Sequence, residues 1–235
     1  MSLPSSTFLP LSEAREASTK PHEPARHFME FVSFRGVNPA SWLAQPVSDS
    51  YKSRNMEGFV LRIMYIMVDV EADGPIPGKY SMIELGAVAV EPGLGRSFYG
   101  RLRPISEDHD PEALAITGHT RKATLDFDEP LKVMTAFEQW INRVSPRRPV
   151  FISDNNGFDW MFVCWYFHTL LGRNPFGHSS QNLNSLYKGL TRDLFASFKH
   201  LRRTPHDHNP VNDARGNAEA LLTMIDEYHL NYERD

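Results

Sequence analysis

Residues 61–72 read LRIMYIMVDVEA and form the most strongly patterned stretch of this 235-residue chain. The stretch is rich in β-branched and other apolar residues, and it ends at the turn residues of Asp73-Gly74-Pro75, so it predicts a buried strand. Alternate residues of a strand face the same way, and Asp69 and Glu71 are therefore expected side by side on one face of this strand.

Two more strand-like stretches follow, SMIELGAVAV at residues 81–90 and SFYGRLR at residues 97–103, with glycine and proline between them. Together with residues 61–72 they predict a three-strand antiparallel meander. Beyond them the sequence predicts an amphipathic helix after Pro130, a short buried strand in PVFIS (149–153) and two further helices in NNGFDWMFVCWYFHTLL (155–171) and NDARGNAEALLTMIDEYH (212–229). This order predicts an α/β fold with a mixed sheet of antiparallel and parallel strands flanked by helices.

Composition places the chain among ordinary globular proteins, with 41% hydrophobic and 23% charged residues. The single cysteine, Cys164, excludes an internal disulfide and is typical of a reducing compartment. A net charge of -4 argues against a polybasic binder of long duplexes. No apolar run reaches the roughly 18 residues of a membrane helix, and residues 1–28 lack the pattern of a signal peptide, so we expect a cytoplasmic protein without a membrane partner.

The first 55 residues differ from the rest in composition. They are rich in proline and serine and only weakly patterned, which predicts a poorly ordered N-terminal extension at residues 1–55, followed by one domain at residues 56–235. An alternative is that translation starts at Met56 or Met64.

Asp69 and Glu71 are adjacent acids that repel one another unless a cation lies between them, and hard divalent ions prefer carboxylate oxygen. The alternative is a solvated strand end.

Asp159 is a second candidate, because Asn156 is placed to cap a helix whose first turn would contain Asp159. Here the alternative is a favourable interaction of the carboxylate with the helix dipole.

The third candidate is the stretch HNPVND at residues 208–213. Pro210 is typical of a first helical turn, so we expect Asp213 to open the last helix and His208 to lie on the loop before it. Alternatives are two exposed loop histidines, His206 and His208, or a zinc site that they form with Asp207. A basic stretch formed by Lys199, Arg202 and Arg203 precedes this loop, and it either guides a nucleic-acid backbone or forms a solvated helix face.

The three elements together and in this order, D-x-E, N-x-x-F-D and H-x4-D, resemble the DEDDh 3′→5′ exonucleases of the ribonuclease H-like superfamily, the group of oligoribonuclease, ribonuclease T and bacterial proofreading subunits. The resemblance covers residues 62–228 and extends to the fold, a mixed sheet that begins with three antiparallel strands. Asn209 stands where the tyrosine-type sister group has tyrosine. All five catalytic positions of the family are filled, by Asp69, Glu71, Asp159, His208 and Asp213.

The resemblance implies a metal-dependent 3′→5′ exonuclease that releases nucleoside 5′-monophosphates from the 3′ end of single-stranded RNA or DNA. The four acids would hold two divalent cations, Mg²⁺ or Mn²⁺, and His208 would act as general base. Candidate substrate contacts are Asn155, Met82 and Phe158, and a homodimer is expected by analogy. The alternatives are a catalytically silent module on the same fold that binds nucleic-acid ends, and a structure-selective endonuclease.

Overall fold

The computed structural model describes residues 63–232. The predicted extension at residues 1–55 and the predicted domain boundary before Met56 lie outside the described residues. Within residues 63–232, no helix has the length and hydropathy that a membrane span requires.

Five strands form one sheet in the order β3-β2-β1-β4-β5. The first three pair antiparallel, and β4 and β5 continue the sheet from β1 in parallel. The predicted mixed sheet with an antiparallel meander is therefore confirmed. The strands are β1 (Tyr65–Ala72), β2 (Met82–Ala89), β3 (Ser97–Arg101), β4 (Val150–Ser153) and β5 (Ser180–Asn182).

The helices include the three that the sequence predicted, at Pro130–Val144, Asn156–Leu171 and Pro210–Glu227. The shorter elements were not predicted, because each has at most nine residues, too few for periodicity alone to establish a helix. In chain order the helices are α1 (Pro111–Ile116), α2 (Arg121–Thr124), α3 (Pro130–Val144), α4 (Asn156–Leu171), α5 (Leu183–Thr191) and α6 (Pro210–Glu227), with a 3₁₀ turn at Lys199–Leu201 before α6.

Both faces of the sheet are buried, each by its own hydrophobic cluster. Ile66, Val68 and Val70 of β1 pack with side chains of α3 and α4 on one face, and Met67 packs with side chains of α5 and α6 on the other. The central strand therefore separates two cores, as the alternation of a fully covered strand requires. Asp69 and Glu71 share the face of Met67, which is the face that α6 covers.

A glycine in β2 allows the first turn of α6 to approach the sheet closely beside Asp69. Gly86 of β2 pairs with Asp69 of β1, and a Cβ at Gly86 would lie 2.2 Å from the backbone carbon of Pro210. Any larger residue would push the first turn of α6 away from the sheet. Gly86 thus brings the start of α6 next to the two acids of β1.

Candidate active site

Asp69 and Glu71 lie on one face of β1 as predicted, near its carboxyl end. Glu71 pairs in register with Glu84 of β2, a third acid that sequence reasoning missed. The Glu84 carboxylate is buried, accepts a hydrogen bond from the Tyr99 hydroxyl, and lies 3.2 Å from Nε2 of His119. Burial raises the pKa of Glu71 to about 8, and Asp213 and Glu84 add to the shift.

The first turn of α6 supplies Asp213. Asn209 caps this helix by accepting hydrogen bonds from the backbone N–H groups of Val211 and Asn212, and Pro210 occupies the first turn as predicted. Asp213 is only 1% exposed. Carboxylate oxygens of Asp69, Glu71 and Asp213 all lie within 4.8 Å of one another. The structure therefore brings together acids from two of the three sequence motifs.

Asp159 lies in the first turn of α4, as predicted, although the N-cap position is occupied by Asn155 and not Asn156, and the Asn155 side chain makes no capping hydrogen bond. Asp159 is 2% exposed, and its Oδ1 accepts a hydrogen bond of 3.1 Å from the backbone N–H of Val70. This bond ties Asp159 to β1 between Asp69 and Glu71. Asp159 is not within the 4.8 Å group that the other three acids form.

The electrostatics of these acids fit a site for divalent cations. The pKa of Asp69 is raised well above its usual value, first by burial and then by the charges of Asp159, Asp154, Glu71 and Asp213. The pKa of Asp159 is raised by burial and by Asp154, and its buried Oδ2 has no hydrogen-bond partner among the described residues. Oxygen ligands that lack countercharge and hydrogen bonds are those that hard divalent ions bind.

His208 lies on the loop before α6, as predicted. Its backbone adopts a left-handed conformation with φ of 59°, which is uncommon for a residue other than glycine. The backbone N–H donates to Oδ2 of Asp213 at 3.1 Å, and the ring Nδ1 lies 3.6 Å from Oε1 of Glu71. With 46% of its side chain exposed, the imidazole borders the acidic cluster and is open to solvent.

The structure corrects the interpretation of the preceding basic stretch. Arg202 does not lie on a solvated face, because its side chain is only 7% exposed and its Nη2 donates to Oδ1 of Asp213 at 2.7 Å. Nδ1 of His206 lies 2.7 Å from the same oxygen. Neither contact has a sequence signal, since each depends on how the loop folds back on α6.

The alternative of a zinc site with Asp207 is not supported. Asp207 accepts hydrogen bonds from the backbone N–H of Asn209 and the side chain of Asn212. His206, His208 and Asp213 do form a second group of potential ligands. However, both histidines are exposed, and the group does not include Asp207 but shares Asp213 with the group of Asp69 and Glu71.

Comparison with known proteins identifies the family to which this chain belongs. The 3′-5′ DNA exonuclease Cap18 of Escherichia coli is 42% identical over 174 residues, which cover 69% of this chain and 91% of that protein. The chain belongs to the DEDDh 3′→5′ exonucleases of the ribonuclease H-like superfamily. No protein-family model matches the chain.

Solved structures of other nucleases share the fold of this DEDDh protein. Cell-death related nuclease 4 has a TM-score of 0.57 at 17% identity, and the match covers 70% of this chain and 64% of that one. Exonuclease I of E. coli in its zinc-bound complex with single-stranded DNA has a TM-score of 0.57 at 14% identity, covering 71% and 41%. A 3′-exonuclease that recognises histone mRNA stem-loops has a TM-score of 0.57 at 14% identity, covering 71% and 64%.

The three predicted substrate contacts of this DEDDh exonuclease lie in different environments. Asn155 is exposed at the start of α4, and Phe158 is partly buried against Phe162, with ring centroids 4.9 Å apart. The contact of Met82 with a terminal base stays a prediction, and the residue is 0% exposed in the core. The reason is that β2 lies inside the sheet, between β1 and β3, and is buried along its whole length.

We expect Mg²⁺ to stabilise this DEDDh exonuclease more at pH 8 than at pH 6. The folded-state pKa of Glu71 is raised, so its contribution to the stability of the metal-free protein falls as the pH rises from about 4.5 to about 8. A bound ion offsets the negative charge of Glu71 and the neighbouring acids. At pH 6 the ion must first displace the proton from Glu71. Melting curves in Mg²⁺ and in chelator should therefore differ by at least about 2 °C more at pH 8.

Glu71→Gln is the control for this pH dependence, because the amide does not titrate. The variant should show a Tm difference between Mg²⁺ and chelator that changes less from pH 6 to pH 8. A difference that is equal or larger at pH 6 in the unsubstituted protein would contradict the prediction.

Proposed function

We propose that this chain is a metal-dependent 3′→5′ exonuclease that removes nucleoside 5′-monophosphates from the 3′ end of single-stranded DNA. The observation that carries the proposal is the convergence of Asp69, Glu71 and Asp213 within 4.8 Å, with Asp159 bonded to the same strand and His208 open to solvent beside them. DNA is chosen over RNA because the relative that is 42% identical is named a DNA exonuclease.

Asp69, Glu71, Asp159 and Asp213 would hold two divalent cations, Mg²⁺ or Mn²⁺. Such ions supply positive charge to a phosphate and lower the pKa of a bound water. The protein's own contribution is to keep four carboxylates crowded in a largely buried site, where burial and the charges of neighbouring acids raise the pKa values of Asp69, Glu71 and Asp159. The neighbouring Glu84 is not counted among the metal ligands, because its carboxylate already bonds to Tyr99 and His119.

His208 would accept the proton of the attacking water at a ring nitrogen. Its position supports this role, because the ring stands at the edge of the acidic cluster and 3.6 Å from Glu71, while nearly half of the side chain contacts solvent. The bond from its backbone N–H to Asp213 fixes the loop that carries it. A positioned base of this kind contributes about 10²–10⁴ to the rate.

The proposal also accounts for how a protein with net charge -4 handles a polyanion. Much of the acidity near the reacting phosphate lies in the cluster itself, and bound cations would reverse the sign of the local field. Binding then depends on the 3′ end entering this site and not on a basic surface. The homodimer and the cytoplasmic location expected from the sequence stay predictions.

The experiment uses 5′-labelled DNA and RNA oligomers of one sequence, incubated with the full-length protein in Mg²⁺, in Mn²⁺ and in chelator. We expect a ladder of shortening 5′-labelled DNA fragments and released 5′-mononucleotides, slower loss of RNA, and no cleavage in chelator. Internal cuts without a ladder would identify an endonuclease. Binding of 3′ ends without cleavage would identify the catalytically silent module and overturn the proposal.

A further inference from the structure

Arg202 is a buried cation that none of the catalytic motifs contains. Its side chain is 7% exposed, and Nη2 donates to Oδ1 of the equally buried Asp213 at 2.7 Å. Arginine is almost never buried this deeply unless it is paired. The pairing with Asp213, a proposed metal ligand, therefore calls for a functional explanation as well as a structural one.

The last helix is shaped to receive this arginine. Gly216 lies three residues after Asp213, and a Cβ there would lie 2.5 Å from Nε of Arg202 and 2.7 Å from the carbonyl oxygen of Thr204. Glycine inside a helix is destabilising relative to alanine. The helix therefore gives up stability at Gly216 and gains the space in which the Arg202 side chain lies.

A second set of contacts fixes the backbone that carries Arg202. Glu219, one turn after Gly216, accepts hydrogen bonds from the backbone N–H groups of Arg203 at 2.8 Å and Thr204 at 2.7 Å, and from the Thr204 hydroxyl at 2.9 Å. These bonds do not involve Asp213. The backbone that follows Arg202 is thus fixed to α6 independently of Asp213, and Nε of Arg202 itself donates to the carbonyl oxygen of Thr204 at 3.4 Å.

We propose that Arg202 is a positioning residue that fixes the orientation in which the Asp213 carboxylate joins Asp69 and Glu71 as a ligand for a divalent cation. Arg202 donates to Oδ1, which Nδ1 of His206 also contacts, and the backbone N–H of His208 holds Oδ2, so the carboxylate cannot rotate freely. Carboxylates that bind metals depend on such hydrogen bonds from outside the ligand set, and loss of one typically costs about 10–100-fold in metal affinity. The inference rests on the proposed function, since it assumes that Asp213 binds an ion.

Arg202 could also have the opposite effect on metal binding. The direction in which metal affinity changes when Arg202 is replaced therefore tests the proposal. A positive charge 2.7 Å from Asp213 also reduces the attraction of the carboxylate for a cation. If Arg202 acted mainly as a built-in countercharge that competes with the metal, its removal would tighten metal binding. If Arg202 positions Asp213, its removal weakens metal binding.

The test measures Mn²⁺ affinity of the metal-stripped full-length protein by the electron paramagnetic resonance signal of free Mn²⁺, without any substrate. We expect Arg202→Met to weaken Mn²⁺ binding by about tenfold or more. Arg202→Lys should recover part of that loss, because lysine restores a hydrogen-bond donor but not the planar, forked geometry of the guanidinium. Arg203→Met is the matched control, since this neighbour is exposed and does not contact Asp213, and it should bind Mn²⁺ as the unsubstituted protein does.

Gly216→Ala provides an independent variant in case Arg202→Met does not fold. The added methyl group would displace the guanidinium, so this variant should also weaken Mn²⁺ binding, even though Arg202 remains. Affinity that is unchanged or tighter in Arg202→Met, or in Gly216→Ala where Arg202→Met does not fold, overturns the proposal. Failure of the proposed function is a different result, because the unsubstituted protein would then neither bind Mn²⁺ nor cleave DNA.

Discussion

Asp69→Asn is expected to lower the rate of DNA cleavage by on the order of 10³-fold or more, and at the same time to stabilise the metal-free protein. The amide has nearly the shape of the carboxylate but lacks the charge that binds a divalent cation. Loss of a metal ligand removes several kcal/mol of transition-state stabilisation, and about 1.4 kcal/mol corresponds to a factor of ten.

The stabilisation follows from the environment of Asp69. Its pKa is raised by burial and by the neighbouring charges of Asp159, Asp154, Glu71 and Asp213. A carboxyl group whose folded-state pKa is raised destabilises the folded protein at pH values above its unfolded-state pKa. The neutral amide avoids that cost, so in chelator at pH 8 the Tm should rise by about 2 °C or more.

The two measurements together exclude misfolding as the cause of lost activity. Cleavage is followed on a 5′-labelled single strand in Mg²⁺, and Tm is measured in chelator. Asp126→Asn is the matched control, because Asp126 is an exposed acid after α2, outside the acidic cluster, and it should leave both quantities unchanged. Retention of more than a tenth of the activity in Asp69→Asn would remove Asp69 from the metal site.

Local sequence patterns placed the acids and the histidine correctly on their elements. The period of two in a strand put Asp69 and Glu71 on one face, and Pro210 indicated where α6 begins. These are properties of a few consecutive residues, so no tertiary information is needed. The distances among the residues depend on a contact that the sequence does not reveal, the packing of Pro210 on Gly86.

The residues that the sequence did not reveal act across the fold. Arg202 looked like one member of a solvated basic stretch, because only the folded helix shows that Gly216 leaves space for it. Glu84 lies beside the cluster through its register with Glu71. The burial of Met82, a predicted substrate contact, also depends on tertiary structure, since periodicity does not show which strand of a sheet is covered on both faces.

His208→Ala is expected to lower the cleavage rate by about 10²–10⁴-fold, the range that a positioned general base contributes. Mn²⁺ affinity should change much less, because no ring atom of His208 belongs to the group that Asp69, Glu71 and Asp213 form. The expected separation of cleavage from metal binding distinguishes this variant from Asp69→Asn, in which both are lost.

The backbone of His208 requires a second substitution. With φ of 59°, the residue is in a conformation that asparagine and histidine adopt more readily than alanine, so His208→Ala adds strain to the loss of the imidazole. His208→Asn tolerates the conformation and still lacks a base, and it should therefore be as slow as His208→Ala. His178→Ala, an exposed histidine before β5, is the control. Near-normal cleavage by His208→Asn would show that the loop conformation, and not the imidazole, is what catalysis needs.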